Sequence, residues 1–321
     1  TFNSPYNTYT NQNEELTFNN NTGHYVGRYG YSSGNYFDGL MSHFHFIDGT
    51  AYAASDFGET DSTTGQWKIK TSPSVTYGTN GFFILKDGNS VTDQSSNTNN
   101  FTVSGGTLVN TEDCPSNVFC TLNNQFPHVT TGAFLYGNTG PQSYNAEQGI
   151  MGTLGAKSGK FYYEVKISGS SGERGMVGWG ARDNTQDKGY PGQYAYDWAR
   201  YNNTTSYYNN GTETQISGSS AYTANDICGC AIDLDNNKIY WYKNGVLENT
   251  GGTTITDPDT AGYYYPLVRT GNGNHIVCNF GNGAFANTAI TSEGTNASGI
   301  GKFEYDVPSG FTALSTKGLN E

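Results

Sequence analysis

Apolar and polar residues alternate with a period of two over much of the second half of the chain. In residues 228–234 (CGCAIDL) every second position is apolar, which is typical of a β-strand because successive side chains point to opposite faces. The other face of this strand is mixed rather than polar. Residues 235–238 (DNNK) predict a tight turn, since Asp and Asn tolerate left-handed backbone conformations, and residues 239–242 (IYWY) predict the returning strand. The pattern therefore predicts a β-hairpin, followed by a second turn at Asn244 and Gly245.

Similar short strands, separated by turn residues, are predicted along most of the chain. They are residues 25–28, 36–47, 81–85 and 101–103 in the first half, and residues 159–167, 175–180, 263–269 and 275–280 in the second. No long stretch has the 3.6-residue periodicity of an amphipathic helix. A length of 321 residues suggests about two domains. We therefore expect an all-β protein of two antiparallel, jelly-roll-like β-sandwich domains with little helix.

Charge and hydropathy exclude two classes of partner. The net charge is -12 and the 16 Lys and Arg residues form no basic run, whereas sequence-independent nucleic-acid binding requires clustered cations. No apolar run approaches the ~20 residues of a membrane-spanning helix. We therefore expect neither a nucleic-acid nor a membrane partner. The chain begins with Thr and has no signal peptide, so we expect a processed protein or a segment of a longer one.

The densest aromatic cluster lies between residues 190 and 208. Its candidate ligand-binding residues are interleaved with Gly, Asn and Thr, and they are Tyr190, Tyr194, Trp198, Tyr201, Tyr207 and Tyr208. Flat amphipathic rings beside amide and hydroxyl groups suit a sugar, and they suit a protein surface equally well. The alternative is that several rings pack inside a β-sandwich under a long loop, which is the better interpretation for Tyr196 and Trp198.

The five cysteines indicate two environments. Cys114 and Cys120 bracket a short loop and could form a small disulfide in an oxidising compartment. Cys228, Cys230 and Cys278 lie on the predicted inward faces of strands, and we interpret them as buried thiols.

No metal or other cofactor is predicted. His43 and His45 share one face of a predicted strand, but no third ligand is evident, so a surface or interface pair is the better interpretation. Asp56, Glu59 and Asp61 could offer oxygen ligands to Ca²⁺, yet they lack the spacing of any defined calcium loop. We interpret them as a solvated turn.

The second half resembles the SPRY family. The motifs that carry the resemblance are, in order, GKFYYEV at 159–165, VGWG at 177–180, YAYD at 194–197, CGCAIDLD at 228–235, IYWYKNG at 239–245, YPLV at 265–268 and CNFG at 278–281. The resemblance implies a bent antiparallel β-sandwich that binds partners through its loops and has no catalytic residues.

The first half resembles the end of a laminin-G or concanavalin-like jelly roll, on the short elements at residues 26–28, 37–39 and 46–49. Residues 57–67 and 77–82 are similar to large virion proteins of bacteriophages, especially marine ones, in which such a jelly roll precedes a SPRY-like domain.

These resemblances imply an order of domains along the chain. We expect a partial jelly roll with an extended amino-terminal segment in residues 1–122, a SPRY-like sandwich in residues 123–290, and a carboxy-terminal extension in residues 291–321 that packs on it.

Concanavalin-like folds also include glycoside hydrolases, which need two carboxylates about 5–10 Å apart. Asp233 and Asp235 are two residues apart, but they stand at a turn, and Glu164 is alone in its strand. No nucleophile elbow or phosphate-binding loop is present. We therefore expect recognition rather than catalysis, with a glycoside hydrolase as a less favoured alternative.

The resemblances imply a non-enzymatic surface or structural protein of a virus particle, such as a tail fibre, a head fibre or another appendage. Its expected location is the virion surface. The expected partners are other copies of the chain and neighbouring virion or filament subunits, and a host surface glycan is a further candidate ligand. The alternative is a secreted or cell-surface bacterial adhesin or filament subunit.

Overall fold

The structure is a computed structural model that describes residues 22–30, 35–37, 39–60, 62, 65, 67–86, 90–105, 108–114, 117–125, 133–142, 149–168, 175–182, 189–270 and 276–320. The strands are β1 Phe44–Phe46, β2 Gly58–Thr60, β3 Trp67–Ile69, β4 Phe82–Ile84, β5 Ala133–Leu135, β6 Gly140–Gln142, β7 Ile150–Met151, β8 Lys160–Ile167, β9 Met176–Gly180, β10 Asp197–Tyr201, β11 Ser206–Asn209, β12 Thr212–Gln215, β13 Ile227–Asp233, β14 Lys238–Lys243, β15 Val246–Leu247, β16 Thr253–Thr254, β17 Tyr265–Arg269, β18 Ile276–Asn279, β19 Ala284–Phe285, β20 Thr288–Ala289 and β21 Thr312–Ala313. The helices are α1 Ala54–Phe57, α2 Pro258–Ala261 and a 3₁₀ turn at Gly318–Asn320. The predicted all-β class with little helix is confirmed.

Two antiparallel sheets form a β-sandwich in the second half of the chain. One has the strand order β12-β11-β10-β9-β17-β7, and the other has the order β15-β14-β13-β8-β18, with β16 added beside β14 and β21 beside β8. The hairpin predicted from the alternation of residues 228–234 is β13 and β14, in which Cys228 lies opposite Lys243 and Asp233 opposite Lys238. We call these the six-stranded and the seven-stranded sheet.

The core between the two sheets is built from large aromatic side chains. Trp179 and Trp241 are both fully buried, and the Tyr163 ring meets the Trp179 ring edge to face at 5.4 Å. The Trp241 indole N–H donates to the Val177 carbonyl at 3.1 Å, so its polar atom is satisfied inside the core. Burial of such rings is the main source of stability, at roughly 25 cal/mol per Å² of apolar surface removed from water.

The chain after residue 293 covers the outer face of the seven-stranded sheet. The Phe303 ring meets Tyr162 at 5.1 Å, and the Phe311 ring meets Tyr240 at 6.1 Å. β18 pairs with β8 at residues 164–167, and β21 pairs with β8 in parallel at residues 161–162. The mixed face of β13, which carries Ala231, is therefore as buried as its apolar face.

The described residues between 43 and 101, which we call the amino-terminal region, fold differently. β1 pairs with β4, and β2 pairs with β3, each as a separate two-stranded sheet. Within the range 36–47 predicted as a strand, the described residues form β1 and an isolated bridge from Tyr36 to Arg28. Residues 101–103 form no strand. These described strands do not assemble into a sandwich, so the partial jelly roll of residues 1–122 and the domain boundaries remain predictions.

The cysteines form no disulfide. All five are reduced thiols, so the suggested Cys114–Cys120 bridge is absent from the structure. Cys120 lies in the sandwich core, where burial raises the pKa of its thiol to about 11. Cys228, Cys230 and Cys278 are buried as well.

Helices in the described part of the chain are short, and none has the length and apolarity required to cross a membrane.

Candidate functional site

Three of the predicted tyrosines meet on the outer side of the six-stranded sheet. Ala199 of β10 lies opposite Tyr208 of β11, and the two-residue period therefore turns Tyr201 and Tyr208 to the same side. Their rings meet edge to face at 5.8 Å, and the Tyr190 ring meets Tyr208 at 6.3 Å. All three side chains are half-buried. We call Tyr190, Tyr201 and Tyr208 the tyrosine face.

Two other candidate rings point into the sandwich instead. Trp198 is 5% exposed and packs against Tyr264 at 6.0 Å. Tyr207 stacks on Trp241 with ring centroids 5.4 Å apart. For Trp198 this packing agrees with the interpretation favoured from the sequence. Alternation alone could not separate Tyr207 from the tyrosine face, because it does not show which side of β11 faces the core.

A buried ion pair supports the loop that carries Tyr190. The Arg182 guanidinium donates to Asp197 Oδ2 from Nη2 at 2.6 Å and from Nε at 2.9 Å, and both side chains are fully buried. It also donates to the carbonyls of Gly189 and Tyr190, each at 2.8 Å. The ring of Tyr194, the remaining candidate, lies over this guanidinium at 5.1 Å. A buried charge pair with this many partners holds its neighbours in one arrangement.

A second buried arginine fixes the loop after Tyr201. Arg200 pairs with Glu248 at 3.1 Å and donates to the carbonyls of Tyr201 and Thr204. Tyr222 donates from its hydroxyl to Glu248 at 2.8 Å. Sequence reasoning missed both arginines, because a charged residue inside a strand or loop gives no signal of its burial.

The edge of the tyrosine face carries one carboxylate. The Tyr208 hydroxyl donates to Glu213 Oε2 at 2.8 Å, and burial together with Glu213 raises the pKa of Tyr208 to about 12. The phenol therefore stays neutral at physiological pH and acts as a hydrogen-bond donor. Asn209 donates from its amide to the carbonyls of Ala195 and Asp197 at 3.0 and 2.9 Å, which ties β11 to the preceding loop.

The arrangement offers groups for contact with a partner. The half-buried rings supply apolar area with little conformational freedom to lose, and the flanking hydroxyl and carboxylate groups supply directional hydrogen bonds.

The histidine pair lies in the amino-terminal region, where His45 belongs to β1. The His45 ring stacks on Phe83 at 3.9 Å, and its Nδ1 lies 2.8 Å from the Tyr77 hydroxyl. Burial, with a contribution from His43, lowers the pKa of His45 to about 4. His45 is therefore a neutral packing residue above that pH.

The acidic turn does not gather into a cation site in the described residues. Asp56 accepts the backbone N–H of Ala53 at 2.7 Å at the start of α1, Glu59 belongs to β2, and Asp61 lies outside the described residues. No group of three or more His, Cys, Asp or Glu side chains in the described part of the chain is placed to hold a metal ion.

The sandwich belongs to a known class of domain. Residues 160–283 match the family model of the SPRY domain, so this part of the chain is a SPRY domain. The E3 ubiquitin-protein ligase RKP of Arabidopsis thaliana is 32% identical over 128 residues, which cover 38% of this chain and 9% of the ligase. The chain thus spans less than a tenth of that relative. The crystal structure of the SPRY domain of human HERC1 matches with a TM-score of 0.35 and 21% identity, over 45% of this chain and 90% of that domain.

Proposed function

We propose that the chain is a non-enzymatic recognition protein whose SPRY domain binds a protein partner through the tyrosine face. The observation that carries this proposal is the contact of Tyr190 and Tyr201 with the Tyr208 ring on the outer side of the six-stranded sheet, where all three side chains are half-buried. Tyrosine is enriched among the residues that dominate binding energy, because a ring buries a large area and has few rotatable bonds. The SPRY match supports the same role, since SPRY domains are interaction modules.

Preorganisation strengthens the proposal. The two buried arginines anchor the backbone on both sides of the tyrosine face, Arg182 at Tyr190 and Arg200 at Tyr201. A partner therefore does not have to order these segments when it binds, and that ordering would otherwise reduce affinity.

The setting that we propose is the surface of a virus particle. The similarity of residues 57–67 and 77–82 to bacteriophage virion proteins supports it. In that setting the partners are other copies of the chain, neighbouring subunits and the host surface, and many weak contacts add up through multivalency. A secreted or cell-surface bacterial adhesin or filament subunit is the alternative setting.

A host glycan is the second candidate ligand. The Tyr208 hydroxyl and the Glu213 carboxylate lie beside exposed ring faces, and this combination also suits sugar hydroxyls and C–H faces. A glycoside hydrolase is less favoured, because Asp233 pairs with Lys160 at 2.9 Å and Asp235 accepts the Gly159 N–H at 2.8 Å. These contacts give both carboxylates a role in the turn.

The test displays the chain on beads in multivalent form. The beads are probed with bacterial surface polysaccharides, with purified phage virion subunits and with soluble copies of the chain. A variant with Tyr190, Tyr201 and Tyr208 all changed to Ala is compared with Tyr263→Ala, which removes a tyrosine that is 54% exposed elsewhere on the sandwich. We expect saturable binding that falls at least about tenfold in the triple variant, or about 1.4 kcal/mol, and stays within about twofold in the control. Equal binding by the two variants would contradict the proposal.

A further inference from the structure

The six-stranded sheet ends in an open strand beside the tyrosine face. β12 is the outermost strand of that sheet, and all four of its residues, Thr212–Gln215, are exposed. It carries no lysine, proline or bulge, which are common devices that protect sheet edges from pairing with other chains.

The turn before β12 determines which backbone N–H and C=O groups of this strand are not bonded to β11. Asn210 and Gly211 have φ values of 49° and 71°, and two positive φ values in a two-residue loop are typical of a type I′ hairpin turn. Asn209 then lies opposite Thr212, and Tyr208 opposite Glu213. Beyond the strand, Ile216 N–H donates to the Thr205 carbonyl at 2.8 Å.

Hydrogen-bonded and non-hydrogen-bonded pairs alternate along an antiparallel ladder. Ile216 bonds to Thr205, which directly precedes β11. By this alternation, the backbone groups of Thr214 and Thr212 also point toward β11. The N–H and C=O groups of Glu213 and Gln215 therefore point away from the sheet. These backbone groups form an open ladder that can accept one more strand.

The side chains of β12 differ between its two sides. Glu213 lies on the side of the tyrosine face and accepts the Tyr208 hydroxyl through one carboxylate oxygen. Thr214 lies opposite Tyr207 on the side of the core. The nearby arginines, Arg182 and Arg200, are both buried in ion pairs. Glu213 therefore gives this edge a negative charge, which has the same sign as the net charge of -12 of the chain.

We propose that β12 is a strand-addition site, at which an extended segment of a partner protein pairs with the backbone of Glu213 and Gln215 and places a lysine or arginine opposite Glu213. Directly opposed residues on neighbouring strands have Cβ atoms about 5 Å apart, close enough for an opposite-charge pair. The partner residue two positions from this lysine or arginine lies opposite Gln215, on the same side of the sheet as Glu213. The main chain supplies affinity, and the side chains that alternate with it supply specificity.

A second copy of the chain fits this edge less well. Pairing between two short polar strands buries far less than the roughly 800 Å² per partner of a stable interface. A flexible segment can follow the edge and then continue over the tyrosine face, which enlarges the contact. The proposal rests on the recognition role proposed above and names the chemistry of the partner.

The test uses a synthetic ten-residue peptide of alternating threonine and lysine, labelled for fluorescence anisotropy. One control peptide has glutamate in place of lysine. A second keeps lysine but carries N-methyl groups on the lysine amides, which are the N–H groups that face β12 when a lysine lies opposite Glu213, so that pairing in this register is blocked. We expect saturable binding of the lysine peptide below about 1 mM, at least tenfold weaker binding of both controls, and slower hydrogen exchange at the Glu213 and Gln215 amides of the bound protein.

Protein variants separate the backbone from the side chains. Gln215→Pro removes an outward N–H that makes no bond within the sheet, and edge strands tolerate proline at such positions. We expect it to weaken peptide binding at least tenfold, whereas the matched Gln215→Ala variant stays within about twofold. Glu213→Gln should weaken binding about threefold to tenfold, because the charge pair is lost.

Four results would overturn the proposal. They are the absence of saturable peptide binding, equal binding of the N-methylated peptide, equal binding by Gln215→Pro and Gln215→Ala, and a dimer of the chain that Gln215→Pro abolishes. The last would assign the edge to a second copy. Loss of partner binding in the triple tyrosine variant but not in Gln215→Pro would refute the edge site and leave the recognition role intact. Normal partner binding in the tyrosine variant, with loss in Gln215→Pro, would refute the role of the tyrosine face alone.

Discussion

The amino-terminal region and the β-sandwich differ in how deeply their apolar side chains are buried. In the sandwich, fully buried rings such as Trp179 and Trp241 fill the space between two sheets. In the described part of the amino-terminal region, Phe83 and Ile84 are the buried apolar side chains. Partly exposed rings contact Phe82 and Phe83, and polar contacts add to them. Asp93 accepts the backbone N–H groups of Phe83 and Asn99 at 2.9 and 2.8 Å.

In a chain of this composition, rigidity depends on how much apolar surface the core removes from water. Hydrophobic burial stabilises the sandwich as one cooperative unit, whereas a region with few fully buried apolar side chains is expected to open locally at a lower free-energy cost. The tyrosine face lies on the rigid part, where a recognition surface keeps its geometry before a partner arrives.

Replacing one tryptophan in each region should give the largest contrast. Trp241→Ala removes a fully buried ring that stacks on Tyr207, and it should lower the free energy of unfolding of the sandwich by about 4 kcal/mol. Trp67→Ala removes a ring of β3 that is 44% exposed, and it should cost less than about 1 kcal/mol. Urea denaturation followed by far-UV circular dichroism measures both. Similar losses in the two variants would mean that the regions do not differ in this way.

The second prediction uses a buried carboxylate of the sandwich. Glu164 is fully buried in β8 and accepts the backbone N–H groups of Glu304 and Tyr305, each at 2.9 Å. Burial raises the pKa of Glu164 from 4.5 to about 7, although these bonds and those from Tyr162 and Asn279 act in the opposite direction. Its folded pKa is above its unfolded value, so its contribution to stability is complete below pH 4.5 and is lost as the pH rises through about 7.

The measurement is the difference in free energy of unfolding between the wild type and Glu164→Gln from pH 4 to pH 8. We expect the stability of the wild type relative to the variant to fall by about 3 kcal/mol over this range. Opening of the chain after residue 293, followed by hydrogen exchange at the Glu304 and Tyr305 amides, should follow the same curve. A difference that does not change with pH would disprove the assignment of this titration to Glu164.

The fold could be predicted further from the sequence than the site could. The alternation in residues 228–234 was enough to predict β13 and its hairpin, and the mixed second face was a signal of a further covering layer. The tyrosine face could be predicted only as part of a longer cluster, because Tyr207 and Tyr208 are neighbours that point to opposite sides of β11. Arg182 could not be predicted at all, since its ion pair with Asp197 depends on the approach of a loop to a strand that no local pattern encodes.

The third prediction concerns the carboxylate that organises the amino-terminal region. Asp93 accepts the N–H groups of Phe83, Ser95 and Asn99 and the hydroxyl of Ser95. Burial raises the pKa of Asp93, but these hydrogen bonds lower it further, so that it lies below its usual value of 3.8. Its contribution to stability is therefore present above pH 3.8 and is lost as the pH falls through the lower folded pKa. This is the reverse of the dependence on Glu164.

Asp93→Asn keeps the shape of the side chain and turns an N–H₂ group toward backbone donors. Loss of these charge-assisted hydrogen bonds should cost about 2 kcal/mol at neutral pH, and the cost should be local. We expect faster hydrogen exchange at the Phe83 and Asn99 amides, while the Val165 amide in the sandwich is unchanged. The control is Asp56→Asn, which removes a carboxylate that accepts the single backbone N–H of Ala53 at 2.7 Å and should cost less than about 1 kcal/mol. Faster exchange at Val165 in Asp93→Asn would show that the two regions unfold together, and the contrast between them would fail.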